Sequence, residues 1–209
     1  MGIYYMWVNL SKRQYLDEAP FPDGLKIDDT AHVGSELTDA VSTLLAGPWR
    51  GDLVSFMGEA FSDVGGVFDL SDMPGLKAVA SYPIDWYDIE EELENISGRL
   101  SCRRGRVGTY VTKDGSIEER LLEGPFDLEL KQYRYVVNET KQEYYDRARL
   151  NVGFDPLPVL MSTSWRNLYI DGRPNNGPDG LWVGDLIVPS DEAPGTGYED
   201  VTNRYTKRQ

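Results

Sequence analysis

The chain carries the same pattern twice. Tyr4–Ala19 (YYMWVNLSKRQYLDEA) returns at a constant offset as Tyr133–Ala148 (YRYVVNETKQEYYDRA), with identity at Tyr4/Tyr133, Val8/Val137, Asn9/Asn138, Lys12/Lys141, Tyr15/Tyr144, Asp17/Asp146 and Ala19/Ala148. A second block, Trp49–Ala60 (WRGDLVSFMGEA), returns ungapped as Trp182–Ala193 (WVGDLIVPSDEA), with Val54 replaced by Ile187. Two collinear blocks in the same order are the mark of an internal duplication. Whatever the first block folds into, the second must fold into as well, and each half is too small to bury a confident core alone. The expected fold is therefore α+β: two related strand-loop-helix-turn-strand halves packed as one pseudo-twofold body. The halves are residues 1–63 and 128–200, with a helix and β-hairpin insertion over 64–127 and a polar tail over 201–209.

Local pattern fills in the elements. Residues 3–10 alternate, with Met6, Val8 and Leu10 on one face and Tyr5, Trp7 and Asn9 on the other, the two-residue period of a strand. Ser11–Asp17 and the Pro20–Gly24 stretch then read as loop. Ser35 is a good N-cap for a helix through Ala46, stopped by Gly47 and Pro48, and Leu53–Met57 is a buried strand. In the insertion, Asp85 caps a helix reaching about Ile96, and Asp114-Gly115 joins strands at Thr109–Thr112 and Ile117–Leu122. Nothing after the second copy resembles this insertion in sequence. The second copy opens with a strand over Leu128–Val137. Asp155-Pro156 starts a helix that Pro158 keeps short or distorted, and Gly172–Gly180 supplies the extra loop.

Composition narrows the function. The 209 residues hold 21 Lys and Arg against 35 Asp and Glu, a formal net charge of −14, which argues against a nucleic-acid backbone as partner and is compatible with a basic protein. A single cysteine, Cys102, excludes an intrachain disulfide framework and points to a reducing, cytoplasmic setting. The start of the chain reads as a strand and not a signal peptide, and no run approaches the ~20 apolar residues of a membrane span.

The run Val8–Leu16 (VNLSKRQYL), then Asp23-Gly24-Leu25-Lys26, then Leu44-Leu45-Ala46, then Trp49-Arg50-Gly51-Asp52-Leu53-Val54 resembles a group of uncharacterised microbial proteins. Members carry a VNL-(S/T)-K-(K/R)-x-YL start, a GDGLK segment and a W-x-GD-(R/L)-(I/V) turn into a strand. The first Gly of the middle motif is Pro22 here. The resemblance implies a shared fold and brings no activity with it.

Three sets of residues are candidates for a site. The repeated polar residues Asn9, Lys12, Tyr15, Asp17 and Asp52, with Asn138, Lys141, Tyr144, Asp146 and Asp185, would form a two-ended ligand site if the seam brought them together. The plainer reading has Asn and Asp bonding local backbone at turns and Tyr packing its ring. Asp88, Glu90, Glu91 and Glu94 form an acidic helix face suited to a basic partner. Arg99, Arg103, Arg104 and Arg106 form one dense basic patch, suited to phosphate, with Tyr110 near enough to stack, or to the neighbouring acids. His32 with Asp28 and Asp29 matches no metal-binding loop, and neither Cys102 nor any Ser sits in a nucleophile signature. No catalytic residue, metal or cofactor is assigned. The leading expectation is an acidic intracellular protein-binding module, such as an immunity protein or a phage-encoded inhibitor. The alternatives are a small-ligand binder or enzyme using the repeated Lys/Tyr/Asp set, and a structural subunit of an assembly such as a virion.

Overall fold

A computed structural model describes residues 3–17, 21, 24, 26–59, 74–82, 86–100, 106–111, 117–122, 128–150, 153–163, 169–170, 173–174 and 180–206. The first block folds as a hairpin, β1 (Tyr5–Asn9) pairing antiparallel with β2 (Gln14–Leu16). Ser11–Asp17, expected as loop, thus contributes a strand. The chain reverses because Arg13 takes a left-handed φ of 54° and the Asn9 side chain holds the Lys12 amide at 2.9 Å. After the short α1 (Ile27–Thr30), α2 (Glu36–Ala46) starts as expected, Ser35 Oγ accepting the Thr38 amide at 3.1 Å. Trp49–Asp52 turns the chain into β3 (Val54–Gly58), antiparallel to β1 with Trp7 opposite Phe56.

The insertion contributes α3 (Pro74–Ala80), α4 (Ile89–Glu92) and β4 (Glu94–Asn95). The helix expected through Ile96 is cut short, Leu93 turning extended at φ −112° and ψ 156°. The exposed edge of β2 takes over those backbone groups: the Glu94 amide donates to Arg13 O at 2.9 Å and the Ile96 amide to Tyr15 O at 3.1 Å. Asp85, its expected cap, lies outside the described residues. The expected hairpin is present as β5 (Arg106–Val111) and β6 (Ile117–Leu122), with its Lys113–Ser116 turn outside the described residues.

The second block repeats the hairpin as β7 (Tyr135–Asn138) and β8 (Glu143–Asp146), with Gln142 at φ 55° where the first has Arg13. Its first strand is shorter than expected, Leu128 forming only an isolated bridge to Leu100. The helix is the single turn α5 (Leu157–Leu160), capped by Asp155 Oδ1 on the Leu157 amide at 3.0 Å. Then come β9 (Ser162–Thr163), the pair β10 (Tyr169–Ile170) and β11 (Arg173–Pro174), β12 (Ile187–Ser190) and β13 (Glu199–Asp200).

Strand order shows that the duplication runs further than the two blocks. The sheets read β4-β2-β1-β3-β9 and β12-β7-β8-β13, so β4 and β13 occupy equivalent parallel edges. Each leads into a 3-10 turn, Ser97–Arg99 and Thr202–Arg204. The Asp17 amide donates to Ser97 Oγ as the Asp146 amide donates to Thr202 Oγ1. Glu94–Leu100 is therefore the partner of Glu199–Tyr205. Two expectations are corrected: part of the insertion does recur, and residues 201–206 are no tail, since Val201, Thr202 and Tyr205 are buried.

The halves are exchanged as well as repeated. Helix α2 of the first half packs on β12 of the second, while β9 of the second half pairs parallel with β3 of the first. One core results, with Trp7, Trp49, Trp182, Tyr145 and Phe56 all fully buried. A second cluster seals the outer face of the first sheet, Met6, Val8, Leu10 and Met57 lying under Val79 of α3 and Ile89 of α4. Helix α3 reaches in through glycine: a Cβ on Gly75 would stand 1.7 Å from Val183 O, and one on Gly184 2.5 Å from Gly75 Cα.

Candidate functional site

The repeated polar residues build one device in each half. Asn9 Nδ2 donates to Asp52 Oδ2 at 2.7 Å, and Asn138 Nδ2 to Asp185 Oδ2 at 2.8 Å. Each Asn Oδ1 accepts the amide of the lysine three residues on, at 2.9 Å in both copies. Lys12 Nζ pairs with Asp52 at 2.9 Å and donates to Pro48 O, while Lys141 Nζ pairs with Asp185 at 3.0 Å and donates to Leu181 O. Ser11 and Thr140 close the clip by accepting the Leu53 and Leu186 amides, each at 2.8 Å. The clip ties the hairpin turn to the W-x-G-D turn and gives partners to backbone groups that neither turn pairs in a strand or helix. Each set is assembled inside its own half. Asp146 holds Arg134, and Tyr15 and Tyr144 sit on the outer faces of their sheets, where burial pushes both phenols up from their ordinary value.

At the seam lies a different cluster, centred on Arg147. Its Nε stands 2.7 Å from Asp155 Oδ2, off the axis of a good hydrogen bond. Nη2 donates to Ser42 Oγ at 2.9 Å, and Nη1 stands 3.7 Å from Asp39 Oδ1. Asp39 comes from α2 of the first half and Asp155 from the turn before α5 of the second, so carboxylates of opposite halves share one guanidinium. Burial opposes the Arg147 charge, but Asp155, Tyr145 and Asp39 more than restore it. Tyr145 donates to Asp155 Oδ1 at 2.7 Å, and burial first, with that carboxylate second, holds its phenol well above the ordinary range. Side-chain exposure of 3% at Arg147 and 2% at both acids makes this a buried structural lock. No sequence motif marks Arg147, because its equivalent in the first copy is Glu18.

A cleft of about 390 Å³ opens in the first half between the clip and the Ser97–Arg99 turn. Leu44, Trp49, Ile96, Leu100 and Leu128 give it apolar walls, and Lys12, Gln14 and Arg99 give it polar groups. Gln14 is held on both sides, accepting Trp49 Nε1 at 2.9 Å and donating to Glu94 Oε2 at 2.9 Å. Of the sequence candidates, Lys12 and Arg99 line this space. Gln14, Trp49 and Leu100 were missed, though the Glu-x4-Arg spacing shared by Glu94–Arg99 and Glu199–Arg204 was a readable signal.

The acidic candidates separate. Glu94 lies in β4, engaged by Arg99 and Gln14, and the neighbouring Glu92 pairs with Arg13 at 3.1 Å. Asp88, Glu90 and Glu91 remain exposed together, beside Tyr87 at 71% exposure. Of the basic patch, Arg103 and Arg104 lie outside the described residues and Arg106 is described only through its strand backbone, so the four are not seen as a surface. Cys102 is also outside them. His32 is half-buried after α1, and among the described residues no three His, Cys, Asp or Glu side chains gather as a metal site. Among the same residues, no helix is long and apolar enough to cross a membrane.

No family model, curated protein or solved structure matches the chain.

Proposed function

We propose that this chain is an acidic protein-binding module whose contact surface is the corner formed by Tyr87, Asp88, Glu90 and Glu91, and that its partner is a basic protein masked as an immunity protein or inhibitor masks its target. The observation that carries this reading is a difference in how carboxylates are used. Across much of the described surface they are neutralised in place: Asp52 by Lys12, Glu92 by Arg13, Glu139 by Arg50, Asp185 by Lys141, Asp191 by Lys131 and Asp200 by Arg149. Among the described residues, no cation stands against Asp88, Glu90 or Glu91, yet they flank the most exposed aromatic ring. Unscreened like charge steers a basic partner into encounter, and an aromatic ring gains contact energy when covered.

The test compares the wild type with a D88N/E90Q/E91Q variant in capture from host lysate at low and moderate salt, followed by association kinetics with whatever protein is retained. The reading expects one basic protein, released by salt, with a slower and less salt-dependent on-rate for the variant. A partner retained equally by both, or none at all, would overturn it.

A further inference from the structure

We infer that the cleft beside Trp49 is a binding site for a small organic anion with a flat apolar body. Its volume, about 390 Å³, lies within the roughly 300–1,000 Å³ range of small-molecule sites. Among its described lining residues the charged side chains are both cations, Lys12 and Arg99, each held by one carboxylate, Asp52 and Glu94, in a chain whose formal charge is −14. Apolar walls with a few placed donors are the usual make-up of a site that binds a ring and fixes its charged end.

The second copy carries different residues at the corresponding places. Where the first half has Gln14, the second has Glu143, which pairs with Arg204 at 3.0 Å. Gln14 is neutral, so among the described carboxylates Arg99 keeps Glu94 alone where Arg204 has both Glu143 and Glu199. Where the first half has Leu100, the second has Tyr205, buried with its ring edge-on to Tyr145 at 6.2 Å. Tyr145 in turn packs at 5.8 Å on Trp182, the repeat of Trp49. Leu16 and Leu100 replace that tyrosine pair in the first half: Leu16 is buried in the core, and Leu100, where the second copy has the Tyr205 ring, lines the open cleft. Two substitutions in one copy thus remove one ring and one of the two carboxylates around the arginine, and the ligand would supply both.

The experiment titrates full-length protein with 2-naphthoate and with its neutral isostere 2-naphthamide, following indole N–H resonances and the dissociation constant. The expected result is a shift of the Trp49 indole signal by 2-naphthoate, with 2-naphthamide weaker by about tenfold or more, as for loss of a charge-assisted contact. Arg99→Gln and Gln14→Glu should each weaken 2-naphthoate by a similar factor, and Leu100→Tyr should abolish binding while Arg204→Gln leaves it unchanged. Absence of any Trp49 shift, equal binding of acid and amide, or equal losses in R99Q and R204Q would overturn the assignment. Should L100Y fail to fold, the surface variants R99Q and Q14E decide the matter alone. The acidic corner plays no part in this titration, so the outcome is independent of the protein-binding proposal.

Discussion

Gly51 and Gly184 hold the same place in the two W-x-G-D turns and the same left-handed backbone, φ 80° and 79°, but different neighbours. A Cβ on Gly51 would meet nothing closer than Leu186 Cδ1 at 3.9 Å, an ordinary contact. On Gly184 it would stand 2.5 Å from Gly75 Cα, a backbone atom of α3 that cannot rotate away. Gly51→Ala should therefore cost only the left-handed penalty of an L side chain, about 1–2 kcal/mol. Gly184→Ala adds the strain of prising α3 from the turn, about 1–3 kcal/mol for an overpacked contact, for a total of roughly 2–5 kcal/mol. Urea unfolding of the two single variants, read as midpoint at constant slope, measures the difference directly. Equal losses would refute the close approach of α3, and a larger loss in G51A would refute the account of both turns.

Two further perturbations probe the core. Arg147→Met leaves Asp39 and Asp155 buried without their cation and should cost about 3–5 kcal/mol in urea unfolding, with D39N/R147M/D155N recovering a large part; no recovery would show that packing and not charge sets the loss. Burial pushes the Tyr205 phenol up to about 12, and Tyr145 is also raised. A folded-state value above the unfolded one, about 10, contributes stability that is complete below pH 10 and is lost as pH rises through about 12. The urea midpoint should hold to about pH 10 and fall between there and 12, less steeply in Tyr205→Phe; a midpoint unchanged to pH 12 would contradict the burial of these rings.

The duplicated blocks made the α+β class and the two-half plan readable, because Asn, Lys, Gly and Asp recur where the backbone has special needs: a left-handed turn, an amide to cap, a strand end to tie. The same reasoning suggested a shared seam site, and in the structure each set closes on itself. Asn9 and Lys12 find Asp52 within one half because the hairpin and the W-x-G-D turn are adjacent in every copy. Glu94–Leu100 escaped notice because it repeats Glu199–Tyr205 chiefly in backbone pairing, with Glu and Arg held in common, and a parallel edge strand can be taken by many side-chain patterns.

Local spacing thus determined the first strand, the α2 cap and the Asp114-Gly115 hairpin, all of which depend on residues near in sequence, while the duplication marked the residues of the clips without pairing them. Tertiary structure alone decided that α2 crosses to β12 and β9 to β3, that one arginine serves two carboxylates at the seam, and that only the first copy has Leu100 and Gln14 around an open cleft. Those features depend on which distant surfaces are covered. A side chain's periodicity says that it must be buried but not what will bury it.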